Sequence, residues 1–302
     1  MLFNIKNKGS EEIYRATGAF TAATPYSSIE NDVIDATDEL KSQIGGVVTL
    51  AEQDYEGHPE GTDLSRAVQR VVASRALCFF AKNTGLSHGD TGRKLKVDDN
   101  EKIPFEWMID RDDRELREKY FRALNHLYGF IRSSISKEED SPLAAAWKES
   151  CASSSVDGLI VDSAASFESV YPIDGSNYVY YRMAPLMQEA QKRLCTMLET
   201  EAAMLAGNQA AIKYIILIAL ATALSRWSLS VFPLEISRQF APSFQGNKEQ
   251  RPATLQEVES TRNAFLREAR AAYSEVARAF HPGTGNQDLL PHNHPDNKFF
   301  TV

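Results

Sequence analysis

The chain has 302 residues, of which 43% are hydrophobic and 25% are charged, and its formal net charge is −8 at pH 7. These values exclude a wholly disordered chain, and the acidic balance argues against a protein whose main work is to coat nucleic acid. Cys78, Cys151 and Cys195 lie far apart without a C-x-x-C pair, so neither a disulfide framework nor a zinc site is predicted.

The N-terminal end lacks the continuous apolar core of a secretory signal, and we expect folding in a reducing cytoplasm. Met1–Ser28 is rich in small and polar residues, which predicts an irregular or weakly stranded start. An amphipathic helix is predicted over Ile29–Tyr55, capped by Ser27 or Ser28, with a kink at Gly45-Gly46.

A second helix is predicted to begin at Thr62 or Asp63 and to stop at Gly85. After it, Lys94–Val97 alternates polar and apolar residues and leads into the turn formers Asp98–Asn100. This pattern predicts a small β-hairpin or arm.

A third helix is predicted from about Pro104 to Ile135, and it is long and heavily charged. Its apolar residues share one seam, so its charged residues are most simply explained as the solvent-exposed face of the helix. The segment that follows shifts towards Ser, Ala and acidic residues, which is typical of a linker. The seam consists of Trp107, Leu116, Tyr120, Leu124, Leu127 and Ile131.

The central element of the second half is Asn208–Val231, whose middle part, Tyr214–Leu224, is apolar on every face apart from the small Thr222. A helix of this kind must be surrounded by protein. At ~1.5 Å per residue, the apolar run covers only about half of the ~30 Å bilayer core, and Lys213 and Arg226 flank it closely. We therefore predict a buried core helix and not a membrane span.

The second half repeats the order of the first: a helix, a second helix, an arm and a third helix. Tyr180–Leu205 corresponds to Ile29–Tyr55, and Ala210–Val231 corresponds to Leu64–Ala81. Thr254–Phe280 corresponds to the third helix. This order predicts a duplicated helical unit whose central helices pack at a pseudo-twofold centre, with coincidence among amphipathic helices as the alternative. The predicted fold class is mainly α with short β-hairpins, with units at residues 1–140 and 167–281, a linker at 141–166 and an extended tail at 282–302.

The chain ends in a β-prone apolar motif, Phe299–Val302, after a segment rich in Pro and Gly. Such an end either docks on its own domain or adds to the sheet edge of a neighbour. Together with the apolar residues of the two arms, it forms the predicted interface between subunits. The candidate interface residues are Leu95, Val97, Ile236, Phe240, Phe244, Phe299, Phe300 and Val302.

The candidate motifs for chemistry are weak. Gly85–Gly89 matches G-x-S-x-G and makes Ser87 a candidate acyl-transfer nucleophile, but a nucleophile elbow needs a strand before the turn and a helix after it. Here a helix precedes the motif and a charged hairpin is predicted to follow. The tail residues His281, His292 and His294 match no closed metal-site spacing. We therefore expect no enzyme activity, no catalytic residue, no cofactor and no metal ion.

The order of helices and arms resembles that of the head–tail connector (adaptor) proteins of tailed phages and prophages. The resemblance covers most of the chain as organisation, and it is carried by Ala67–Ile135 and by the similar order in Ala210–Phe280. In particular, the chain is similar to a bacteroidal prophage family with two connector-like units, in which GDTGR precedes a K-x-P-x-E-W stretch. These motifs lie at Gly89–Arg93 and Lys102–Trp107.

The resemblance implies a structural virion protein that forms a ring with its own copies below the portal and extends the DNA channel. It implies as partners the portal protein, a downstream tail or neck protein, and genomic DNA that passes without sequence-specific binding, with no membrane. It also implies location in the virion after assembly in the bacterial cytoplasm. Single-unit connectors are shorter, so whether both units line the ring stays open. The alternatives are a non-catalytic helical interaction or scaffold protein of bacterial origin, and a hydrolase that uses Ser87.

Overall fold

The computed structural model describes residues 2–4, 8–20, 23–58, 61–84, 86–89, 92–95, 106–226 and 254–280. These residues are mostly helical, which confirms the predicted mainly α fold class. The chain divides into two compact units, Met1–Ser155 and Val156–Val302, and the boundary falls inside the segment predicted as a linker.

The described part of the first unit is a helical bundle with one pair of short strands. One helix, Asp63–Thr84 (α3), is central, and its fully buried residues include Val68, Val72 and Ala76. The elements in chain order are α1 (Gly9–Thr17), a 3-10 turn at Tyr26–Ser28, α2 (Glu30–Gly57), α3, β1 (Leu86–Gly89), β2 (Gly92–Leu95), α4 (Glu106–Lys137), α5 (Pro142–Lys148) and α6 (Cys151–Ser154). Of these, α3 packs against α1, α2 and α4.

The N-terminal segment differs from the predicted irregular or weakly stranded start. It forms α1, and Leu2 and Phe3 ahead of this helix are buried. Within α1, Gly9 and Ile13 are the buried residues. Two buried positions are too few to produce a helical apolar stripe in the sequence, which explains why the pattern did not predict this helix.

The predicted serine cap of α2 is wrong. Tyr26–Ser28 forms a 3-10 turn, and the N–H of Ile29 donates to the carbonyl of Tyr26 at 3.0 Å. The Ser28 hydroxyl donates back to the carbonyl of Pro25 at 2.7 Å, and α2 has no side-chain cap. A backbone turn therefore leads into the helix where a side-chain cap was expected.

The kink of α2 lies at Ile44 (φ −138°, ψ 46°), one residue before the predicted Gly45-Gly46 position. Next to the kink, α2 packs against α5. A Cβ placed on Gly46 would lie 3.1 Å from Ala146 Cβ of α5, whereas a Cβ placed on Gly45 would meet nothing within 4 Å. The missing side chain of Gly46 thus permits the close approach of α5.

The segment predicted as a linker contains α5 and α6, both of which contact α2. The Ser141 hydroxyl accepts from the N–H of Ala144 at 3.2 Å, and Pro142 is the first helical residue. A proline at this position starts a helix, although the composition made it look like a loop signal. Trp147 of α5 is buried, with its ring centre 5.8 Å from that of Tyr128 in α4.

The predicted N-terminal cap of α3 is confirmed. The Thr62 hydroxyl accepts from the N–H of Ser65 at 3.2 Å, and the Ser65 hydroxyl accepts from the N–H of Thr62 at 2.8 Å. This reciprocal pair satisfies two backbone donors that the helix itself leaves unpaired.

Arg75 of α3 connects three helices of the first unit. Its Nε–H donates to the Glu39 carboxylate of α2 at 2.8 Å. Its guanidinium also lies 4.4 Å from the ring centre of Phe79 and 5.1 Å from that of Tyr120 in α4. Arg75 thus lies at the interface between α3 and α4, where the predicted apolar seam of α4 is buried. The seam residues observed to be buried are Leu116, Tyr120, Leu124, Leu127 and Ile131.

Strands β1 and β2 pair antiparallel, with Leu86 opposite Leu95 and Gly89 opposite Gly92. The sequence prediction made Lys94–Val97 the strand before a turn at Asp98–Asn100. In the structure, Leu95 instead ends the second strand of the pair. The predicted turn lies outside the described residues.

The second unit is also built around one central helix, Gln209–Arg226, which we label α10. Its fully buried residues Ala211, Ile215 and Ile216 lie on more than one face, so the predicted buried helix is confirmed. By length and composition alone α10 is apolar enough to cross a membrane, and 56% of it is buried inside the protein. The other described helices are α7 (Ala164–Glu168), α8 (Asn177–Leu198), α9 (Ala202–Leu205) and α11 (Leu255–Phe280), and α10 packs mainly against α8 and α11.

The helix predicted as one piece over Tyr180–Leu205 is divided into α8 and α9. Glu199, the residue after α8, adopts the left-handed conformation (φ 50°), which ends the helix. Because this position holds glutamate and not glycine, the sequence carries no glycine signal for the end of α8.

A buried glutamine holds the segment that precedes α7. Gln191 of α8 accepts from the N–H of Ile160 at 2.9 Å through Oε1, and donates through Nε2 to the carbonyl of Gly158 at 2.7 Å. Tyr180 of the same helix donates its hydroxyl to the carbonyl of Val161 at 2.8 Å. Two side chains of α8 thus satisfy three backbone groups of this irregular segment.

The two units share one plan. In the first unit α3 packs against an earlier helix, α2, and a later helix, α4. In the second unit α10 does the same with α8 and α11. The predicted duplication of the sequence, and the pseudo-twofold packing of the two central helices, stay predictions.

Candidate functional site, an arginine-lined groove in the first unit

The predicted subunit interface lies almost wholly outside the described residues. Leu95 is the last residue of β2. The other candidates, Val97, Ile236, Phe240, Phe244, Phe299, Phe300 and Val302, fall in ranges that the structure does not describe. Their role in assembly stays a prediction.

Ser87 lies in β1, opposite Lys94 of β2. The helix α3 precedes this strand and a second strand follows it, whereas a nucleophile elbow joins a strand to a helix. Within the described ranges, no group of three or more His, Cys, Asp or Glu side chains is placed to hold a metal ion. The tail histidines lie outside those ranges.

A groove of about 440 Å³ lies where α1, the end of α2 and the first turns of α3 meet. Three of its lining residues, which we call the arginine cluster, are Arg15, Arg66 and Arg70. Three others, which we call the inner network, are Glu12, Tyr55 and Gln69. Three arginines and one glutamate thus line the groove.

The inner network ties the N-terminal segment to the bundle. The Tyr55 hydroxyl donates to one oxygen of the Glu12 carboxylate at 2.6 Å, and the N–H of Asn4 donates to the other at 2.8 Å. Gln69 donates through Nε2 to the carbonyl of Leu2 at 2.5 Å. Both carboxylate oxygens of Glu12 are thus engaged by neutral donors of the protein.

Burial raises the pKa of Tyr55 well above its ordinary value, and the hydrogen bond to Glu12 and the negative charge of Glu12 add to this effect. The positive charge of Arg15 acts in the opposite direction. Tyr55 therefore keeps its proton at neutral pH and remains a hydrogen-bond donor to Glu12.

The arginine cluster comes from two helices. Arg66 and Arg70 are four residues apart on α3, so they share one face of that helix. Arg66 runs along the turn at Gly61, where φ is +79° and an added Cβ would lie 3.2 Å from Arg66 Cγ. Arg15 of α1 lies 3.7 Å from Glu11, and this exposed pair contributes little energy.

Sequence reasoning missed this groove because one of its walls, α1, was not predicted. Arg66 and Arg70 give no signal of their own in the sequence, because arginines on an amphipathic helix usually belong to its solvated face. Their four-residue spacing was visible, but the third arginine comes from a segment about fifty residues earlier, whose position depends on tertiary packing.

In comparisons with known proteins, no family model, curated protein or solved structure matches the chain.

Proposed function

We propose that the chain is a structural protein of a phage or prophage particle, a head–tail connector (adaptor) that forms a ring below the portal and extends the DNA channel. The observation that supports the proposal is the plan shared by the two units, in which a central helix packs between an earlier and a later helix. The same order of elements carries the resemblance of the sequence to connectors.

The parts suit a ring subunit. Packed helices give a rigid body, and a two-stranded ribbon such as β1–β2 offers backbone donors and acceptors along its outer edges to a neighbouring chain. Contacts of this kind set a register between subunits, and a repeated head-to-tail contact closes into a ring when the rotation allows it. An acidic subunit also repels phosphates, which favours DNA that slides through the channel.

The proposed partners are other copies of the chain, the portal protein and a downstream tail or neck protein, with genomic DNA passing without sequence-specific contacts. The proposed location is the virion, with assembly in the bacterial cytoplasm and no role for a membrane. In this role the protein needs no catalytic residue, cofactor or metal ion.

The first test is quantitative mass spectrometry of purified particles, with peptides of this chain scaled against peptides of the portal. We expect a copy number close to that of the portal. Absence of the chain from intact particles would refute the proposal and would favour a scaffold or interaction protein of the host.

A pair of variants tests the predicted interface. Deletion of Asp296–Val302 should abolish incorporation into particles while the thermal stability of the isolated chain stays unchanged. Ser87→Ala is the matched control and should leave incorporation intact. Loss of a hydrolytic activity in Ser87→Ala, with the fold retained, would contradict a purely structural role.

A further inference from the structure

The long helix α2 consists of two helical parts, residues 30–43 and 45–57, which meet at Ile44. The backbone of Ile44 is not helical (φ −138°, ψ 46°), and the sequence from Gln43 to Gly46 contains no proline. Proline bends a helix by removing a backbone donor, whereas every residue of this stretch keeps its N–H. The stretch can therefore also form a continuous helix, and contacts of α2 with its surroundings maintain the bend.

An ion pair joins the two parts of α2 across the bend. The Lys41 Nζ lies 3.0 Å from Glu52 Oε2 and 3.2 Å from Glu52 Oε1. Residues eleven positions apart lie on the same side of a straight helix, but ~16.5 Å apart along its axis, which is farther than these two side chains can span. The pair therefore forms only when α2 is bent, with both side chains on the inner side of the bend.

The first part of α2 is held by α3 and α4. Glu39 accepts a hydrogen bond from Nε of Arg75 in α3 at 2.8 Å. Gln43, the last residue before the bend, accepts one from the Tyr128 hydroxyl of α4 at 3.1 Å. These contacts fix the first part against the centre of the unit.

The second part of α2 carries α5. A Cβ placed on Gly46 would lie 3.1 Å from Ala146 Cβ of α5, so the two backbones approach closely just after the bend. On its other side α5 contacts α4 through Trp147, whose ring centre lies 5.8 Å from that of Tyr128. Because α5 bridges the second part of α2 and α4, it keeps both contacts only while α2 is bent.

We propose that α2 is a hinge with a bent and a straight form, and that the Lys41–Glu52 ion pair favours the bent form. The straight form gains the helical hydrogen bonds across Ile44, but it loses the ion pair and separates α5 from α2 or from α4. The two side chains of the pair are 36% and 21% exposed, so dissolved salt reaches them. A pair of this kind shifts an equilibrium by about two- to fivefold.

The test is the distance between two nitroxide labels, one in each part of α2, measured in the full chain by pulsed electron paramagnetic resonance. Asp35→Cys and Gln53→Cys provide exposed positions, and the three native cysteines are replaced by Ala. These positions are ~27 Å apart along a straight helix and closer in a bent one. We expect a main population at the shorter distance, and Lys41→Met should raise the ratio of straight to bent form by about two- to fivefold.

The controls separate the ion pair from other effects of the substitution. Lys41→Arg keeps the positive charge and should keep the ratio of the natural chain. Lys137→Met removes an exposed lysine of α4 and should not change the ratio. Sodium chloride at about 1 M, where the screening length is ~3 Å, should act on the natural chain as Lys41→Met does and should have little effect on that variant.

Trp147 gives a second readout, because its emission should move to longer wavelengths as the straight form becomes populated and α5 separates. A distance that neither Lys41→Met nor salt changes would overturn the proposal, since packing alone would then set the bend. An equal change in Lys137→Met would overturn it as well, because the effect would then not belong to this pair. None of these results bears on the connector proposal, which is tested by the copy number in particles.

Discussion

Two adjacent glycines in α2 should respond in opposite ways to the same substitution. Gly45 and Gly46 both lie in the helix after the kink at Ile44, and both have helical backbone angles. An added methyl group at Gly45 meets nothing within 4 Å. At Gly46 it lies 3.1 Å from Ala146 Cβ and 3.3 Å from the Ala146 carbonyl oxygen. Only the second position forces α2 and α5 apart.

The magnitudes follow from the helix backbone and the contact. Alanine reduces the conformational freedom of the unfolded chain, so Gly45→Ala should raise the free energy of unfolding by ~0.5–1 kcal/mol. Gly46→Ala gains the same amount and loses ~1–3 kcal/mol to overpacking against α5. We therefore expect Gly46→Ala to be less stable than Gly45→Ala by ~1–3 kcal/mol.

The assay is urea unfolding followed by the fluorescence of Trp147, which neighbours the contact and is buried in α5. Trp107 and Trp227 are replaced by Phe so that Trp147 is the single tryptophan that reports unfolding. Equal stabilities for the two variants would refute the close α2–α5 packing from which the difference is derived. The emission maximum of Trp147 in the folded state gives a second readout. If it is the same in Gly46→Ala as in the parent, α5 has shifted to accommodate the methyl group without exposing Trp147 to water.

Three further predictions concern side chains of α3 and α8. Gln191→Leu leaves two backbone groups of the loop before α7 without partners and should lower the free energy of unfolding by ~2–4 kcal/mol, measured by urea titration, with faster amide exchange at Ile160. Arg75→Ala removes an ion pair and two cation–π contacts and should cost ~1–2 kcal/mol, and Arg75→Lys should recover only part of it. Burial raises the pKa of the Cys78 thiol, so iodoacetamide at pH 8 should modify the exposed Cys151 well before Cys78, as peptide mass spectrometry will show. Equal labelling rates would contradict the burial of Cys78.

The long helices of both units could be predicted because their signals are local. The apolar seam of α4, the cap of α3 at Thr62 and the all-round apolar character of α10 are each set by residues a few positions apart. Burial then follows from the same pattern, since an apolar stripe has to face other protein. For this reason the mainly α class is recoverable from the chain alone.

Two of the errors occur where a long-range contact decides the local structure. α1 has few buried residues, and Glu12 in this helix accepts a hydrogen bond from the hydroxyl of Tyr55, which lies forty-three residues later in the chain. α5 looked like a linker because Pro142 and the surrounding serines are loop formers by composition, yet Trp147 anchors it against α4. No window of a dozen residues contains both partners of either contact, so periodicity cannot find them.

The groove could not be predicted for the same reason, because its shape depends on a contact between distant parts of the chain. Its shape depends on Glu12, which accepts hydrogen bonds from the Tyr55 hydroxyl and the Asn4 N–H and so fixes α1, whereas its charge depends on exposed arginines. Tyr55→Phe removes the hydrogen bond that the Tyr55 hydroxyl donates to Glu12 and keeps every charge, so it should loosen the N-terminal segment and lower the free energy of unfolding by ~0.5–1.5 kcal/mol, as measured by urea titration. An unfolding free energy equal to that of the natural chain, with unchanged amide exchange at Asn4, would contradict the role of this hydrogen bond in holding α1 against the bundle.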